Sequence, residues 1–135
     1  MKDVLTVPLD VVWDNPEKTI LLHTYTGGWT VEDYDHLVTR VRAHVLQVSH
    51  AVDHIVDVTR SSSPPLGISA RVVHATENQL PNERFAVMVG LKRLPVALFM
   101  FQSVLRFAPQ HQAIFRFADS VEEARALLAQ PQPSD

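Results

Sequence analysis

The chain has 135 residues, 46% hydrophobic and 20% charged, with a net charge of -3 and no cysteine. This suits one soluble domain with its own core and excludes disulfides, thiolate metal sites and thiol catalysis. Interspersed charges argue against a nucleic-acid partner, the apolar runs are shorter than the ~20 residues of a membrane span, and the acids and early proline of the first residues do not read as a signal peptide, so a cytoplasmic protein without membrane insertion is expected.

Val11, Val12 and Trp13 read as a short strand, the Asn15-Pro16-Glu17-Lys18 segment as a turn, and residues 19–25 (TILLHTY) as a second strand, which together make an N-terminal hairpin. Gly27 and Gly28 break the pattern. Thr30 with Asp33 forms a capping box, and Tyr34, Leu37, Val38, Val41, Val45 and Val48 recur at helical spacing, with Glu32, His36, Arg40 and Arg42 on the other side.

Residues 54–58 (HIVDV) form a short apolar run suited to a strand buried on both faces. The serines and prolines of RSSSPPLG then read as a loop before a helix over 67–79, with Ile68, Val72, Ala75 and Thr76 inward and Pro81 beyond its end. Residues 85–89 (FAVMV) repeat the buried-strand pattern. Pro95 suits the first turn of a third helix over 96–106. Residues 113–117 (AIFRF) make the last strand, and Ser120 with Glu123 predicts a capping box for a short helix over Val121, Ala124, Leu127 and Leu128. Residues 1–130 are read as one domain and 131–135 as a disordered tail.

The order β-β-α-β-α-β-α-β-α implies an α/β domain: a mixed, mostly parallel sheet of about five strands with an N-terminal hairpin and about four helices, covered on both faces. This order, and the stretch IVDVTRSSSPPLGISARVV above all, resembles the STAS-like domains of anti-sigma-factor antagonists and anion transporters, in a branch also compared with CRAL-TRIO lipid-binding domains. The resemblance rests on a buried strand ending in Asp57-Val58-Thr59, then a loop, then a helix starting near Gly67. It implies a non-catalytic regulatory or protein-interaction module and raises phosphorylation of Ser61, Ser62 or Ser63. The Asp-Ser-Ser-Gly element of the family is replaced here by Pro65-Leu66-Gly67-Ile68.

In open α/β sheets ligands gather outside the carboxyl ends of the strands. Asp57, Thr59, Arg60, Ser61, Ser62, Ser63, Lys92 and Arg93 should reach that edge, where helix N-termini and cationic side chains favour an anion. The plain alternative is a solvated loop, with the serines setting the turn and Asp57 bonded by its own following backbone. No P-loop, nucleophile elbow or HExxH pattern is present, so no catalytic residue, metal site or cofactor is expected. His36 and His44 lie eight apart on the first helix, and His50 and His54 straddle a loop-to-strand change.

On the third helix Ala97, Met100, Phe101, Val104 and Leu105 point inward, Leu98 lies at the border, and Phe99 falls outward with Gln102 and Arg106. Leu98, Phe99, Gln102 and Arg106 are therefore the expected partner surface, for a homodimer or a regulatory protein. The other expectation is a pocket for a small amphipathic or anionic ligand, with Phe99, Phe101 and Phe107 around its apolar part and Arg60 and Lys92 at its head group.

Overall fold

The computed structural model describes residues 7–130. The expected tail at 131–135 lies outside them. β1 (Leu9–Trp13) and β2 (Ile20–Gly27) form the antiparallel hairpin. Asn15 closes its turn: the side-chain oxygen accepts the Thr19 and Ile20 N–H groups at 3.0 and 3.3 Å, and the amide donates to Thr19 Oγ1 at 2.6 Å. α1 (Val31–Val45) opens on the expected box, with Thr30 Oγ1 accepting from Asp33 N–H at 3.0 Å and Asp33 Oδ2 from Thr30 N–H at 2.9 Å. Leu37, Val41 and Val45 are its buried stripe, and Val48 lies beyond its end.

β3 (Val52–Ser61), α2 (Ile68–Glu77), β4 (Glu83–Val89), α3 (Pro95–Phe107), β5 (Phe115–Ala118) and α4 (Val121–Ala129) follow, with 3-10 turns at Leu91–Arg93 and Pro109–His111. β3 is longer than the HIVDV run because β2 continues through Thr26 and Gly27, which pair with Arg60 and Ser61. Ser61 is therefore strand, not loop. β5 begins two residues later than expected, because the turn opened by Pro109 runs on through residue 114. The second capping box is half formed. Ser120 Oγ accepts from Glu123 N–H at 3.0 Å, but the Glu123 carboxylate accepts from Asp119 N–H instead of Ser120.

The sheet order is β1-β2-β3-β4-β5, and only the β1–β2 pair is antiparallel. HIVDV and FAVMV do lie side by side, with Ile55 opposite Val87. Each crossover steps to the next strand in one direction, so the right-handed rule puts α1, α2 and α3 on a single face. There Leu37, Val41, Val45, Val72 and Phe101 join Leu21, Tyr25, Val56 and Val58 in one apolar cluster. The other face carries Ile55, Val87, Val89 and Ala118 under Ala124 and Leu128 of α4, its only helical cover among the described residues. The cover is thus three helices against one. The strand order never reverses, so there is no switch-point crevice at the carboxyl edge of the kind doubly wound sheets use.

Candidate functional site

The three-helix face is not packed solid. α1 leans on β1, and α2 packs against α1 and α3 more than against the sheet. Arg42 donates to the Asn78 carbonyl at 2.7 Å and Arg71 to Asp35, so polar contacts also hold α2 to α1. Beneath α2 the facing side chains are short: Val72, Ala75 and Thr76 above, Val56, Val58 and Ala86 below. They leave a predominantly apolar cavity of about 450 Å³, partly open to solvent. That is the size of a small-molecule site. The inward α2 residues expected from sequence line it, as do Ala97, Met100, Phe101 and Val104 of α3. Of the three phenylalanines expected around an apolar ligand only Phe101 is there; Phe99 and Phe107 are 65% and 87% exposed.

One end of the cavity is aromatic. Trp29 meets Tyr25 edge-on at 5.2 Å and Tyr34 at 6.3 Å. Burial raises both tyrosine pKa values, helped by Tyr34 at Tyr25 and by Asp35 at Tyr34, so both stay neutral phenols. Trp29 Nε1–H donates to Ser61 Oγ at 2.8 Å, and Ser61 donates to the Ser62 carbonyl at 2.7 Å. Ser61 thus holds the indole in place and is itself buried, whereas Ser62 and Ser63 are exposed.

The other end is polar. His23 on β2, His54 on β3 and Glu83 on β4 form a hydrogen-bonded chain across three adjacent strands. His23 Nε2 lies 2.9 Å from His54 Nδ1, and His54 Nε2 lies 2.8 Å from Glu83 Oε1. Glu83 Oε2 accepts the Leu80 N–H at 2.7 Å. The histidines are only 8% and 4% exposed. Burial alone would raise the Glu83 pKa, but hydrogen bonding and charge from His54, the Leu80 N–H and Arg42 outweigh it and hold it below the usual carboxylate value. The His23 pKa is held well below its ordinary value by burial first, then by His54 and His44. Sequence patterning missed this chain. Its one trace is that His23 alternates with Leu21 and Tyr25 on the buried side of β2.

The residues expected at the carboxyl edge lie there, at the end of β3 and just beyond β4, but away from the apolar cavity. Asp57 Oδ1 accepts the Thr59 N–H at 3.0 Å and its hydroxyl at 2.6 Å, so this carboxylate is taken up by its own strand. Arg60 and Arg93 are exposed, and Lys92 stands 3.8 Å from Asp119. None of Asp57, Thr59, Arg60, the serines, Lys92 or Arg93 lines the apolar cavity. Lys92 instead joins Leu98, Gln102 and Arg106 with Asp119 and Glu123 around a second, more polar hollow of about 690 Å³. Among the described residues no group of three histidine or acidic side chains is arranged to hold a metal, and no helix is long and apolar enough to cross a membrane. No protein-family model matches the chain, and no curated protein matches it.

Proposed function

We propose that this domain is a non-catalytic binding module whose cavity takes a small apolar or amphipathic molecule. The observation that carries the reading is the cavity itself. At about 24 cal/mol per Å³, leaving about 450 Å³ of core unfilled forgoes up to about 11 kcal/mol of packing. Water entering the open side lowers that figure, so it is an upper bound reached only where the space stays dry. Filling the space from outside recovers it. The STAS-like kinship belongs to the same proposal. It is supported by the order of elements and by the Asp57–Thr59 contact near the end of the central strand. The head-group position differs from the carboxyl-edge expectation: the polar end of the cavity is built from His23, His54, Glu83 and Arg42.

A thermal-shift series with fatty acids, long-chain alcohols, nucleotides and inorganic phosphate tests it. A ligand at one hundred times its Kd stabilises by about 2.7 kcal/mol, roughly 10 °C for a domain of this size. The shift should appear with the aliphatic compounds and be lost in Ala75→Trp, which fills the cavity from α2. The absence of a shift with any apolar compound rules the reading out.

A second reading, a homodimer or a docking module for a regulatory protein, is favoured by the outer side of α3, where Val96, Phe99 and Phe107 are exposed. Sedimentation at high concentration decides the homodimer: a dimer that Phe99→Glu dissociates supports it, and a monomer throughout refutes it.

A further inference from the structure

The His23–His54–Glu83 chain has a direction, and that direction specifies the ligand. Ionised Glu83 can only accept, and its two oxygens face the Leu80 N–H and His54 Nε2. His54 Nε2 must therefore carry the hydrogen of that contact. In a singly protonated ring His54 Nδ1 is then bare, so it accepts from His23 Nε2–H at 2.9 Å. The same rule leaves His23 Nδ1 a bare acceptor. That ring is 92% buried and lines the cavity, and among the described residues its Nδ1 has no hydrogen-bond partner. Nδ1 is not sealed in by protein, and a ligand that displaces water from it without supplying a hydrogen loses affinity.

Building on the binding reading above, we infer that the cavity selects an aliphatic molecule ending in an O–H group, an alcohol or a carboxylic acid, whose hydrogen is donated to His23 Nδ1. The groups around the chain fit this. α1 contributes Arg42 and His44, and α2 contributes His74. β2 adds the neutral Tyr25, and α3 contributes only Ala97, Met100, Phe101 and Val104. A hydrocarbon leaves the acceptor unpaired, and an ether or ester sets a second acceptor against it. A carboxylic acid passes its proton toward His23 as it binds, so the complex of the acid holds one proton more than the free protein and free carboxylate.

The test compares decanol, decyl methyl ether and decanoic acid on the full chain at pH 8, where ordinary imidazoles are neutral. Titration calorimetry and Trp29 fluorescence both report binding. Decanol should bind at least tenfold more tightly than the ether. In Glu83→Gln, where the amide no longer imposes one direction on the chain, that preference should fall below threefold. Decanoic acid should take up one proton per molecule bound, and its affinity should fall about tenfold per pH unit between pH 7 and 9 while that of decanol stays level. Equal binding of decanol and the ether to the unmodified protein overturns the inference and leaves the binding reading standing. Failure of all three to bind overturns both.

Discussion

Gly90→Ala is the substitution whose cost can be worked most directly. Gly90 follows β4 with φ of 81°, in the left-handed region. A Cβ there would lie 2.2 Å from Thr59 Cγ2, 3.1 Å from Thr59 Cα and 3.2 Å from Thr59 Cβ. Carbon atoms pack comfortably at about 3.5–4.0 Å. Thr59 cannot simply withdraw, because its N–H and hydroxyl are both committed to Asp57. The left-handed backbone costs an L-residue about 1–2 kcal/mol, and overpacking adds about 1–3 kcal/mol. The expected loss is about 2–5 kcal/mol. Gly67 is the internal control: its φ is 86°, but nothing lies within 4 Å of its added Cβ, so Gly67→Ala should lose only the backbone part, about 1–2 kcal/mol. Urea unfolding at constant m gives both numbers. Thr59→Ser removes the nearest methyl, and a double-mutant cycle with Gly90→Ala should show a coupling of about 1 kcal/mol. Equal losses at the two glycines, or strict additivity in the cycle, would refute the steric argument.

The remaining predictions concern buried polar groups. His23, with its pKa held down by burial, His54 and His44, stays neutral in the fold while the unfolded chain takes a proton below about pH 6.5. Stability should be complete above that pH and fall on acidification by up to about 1.4 kcal/mol per unit; urea midpoints between pH 7.5 and 5.5 check this, and a midpoint that rises with acid contradicts it. The depressed Glu83 carboxyl acts with the same sign but only below about pH 4.3. Asp53 accepts from Arg84 Nε at 2.9 Å, Arg84 NH2 at 2.6 Å and Phe85 N–H at 3.1 Å, with its side chain buried. Asp53→Asn places an amide donor against donors and should cost about 2–4 kcal/mol. A loss under about 0.5 kcal/mol would show that the arginine simply turns outward.

Local signals carried most of the fold. The Thr30 box, Pro95 at the head of α3, the hairpin turn and the inward stripes of α2 and α3 are written in residues a few positions apart, and each lies where its spacing placed it. What was illegible depended on partners far along the chain. The three serines look like a loop until the tail of β2 is known to pair with Arg60 and Ser61. The layering of helices depends on strand order, which no single segment encodes. His23 and His54 are 31 residues apart, and His54 and Glu83 are 29 apart. Each looks like a lone polar residue in or beside an apolar strand. Only the parallel register, with Leu21 opposite His54 and His23 opposite Val56, makes the two rings diagonal neighbours on one face. The cavity was illegible for a related reason: a short side chain on a helix gives no sign that the residue facing it is short too.

The placement of α4 has a consequence for biosynthesis. Its nine residues shelter Ile55, Val87 and Val89, and Arg125 reaches back across 111 positions to Asp14 beside the first hairpin. A ribosome releases the chain from its amino end, so every strand has emerged before this helix is available. Until then the growing polypeptide carries a greasy flank with no helix to shelter it. Docking of α4 hides this flank from neighbouring chains, and a polypeptide stalled or clipped short of Val121 leaves it bare.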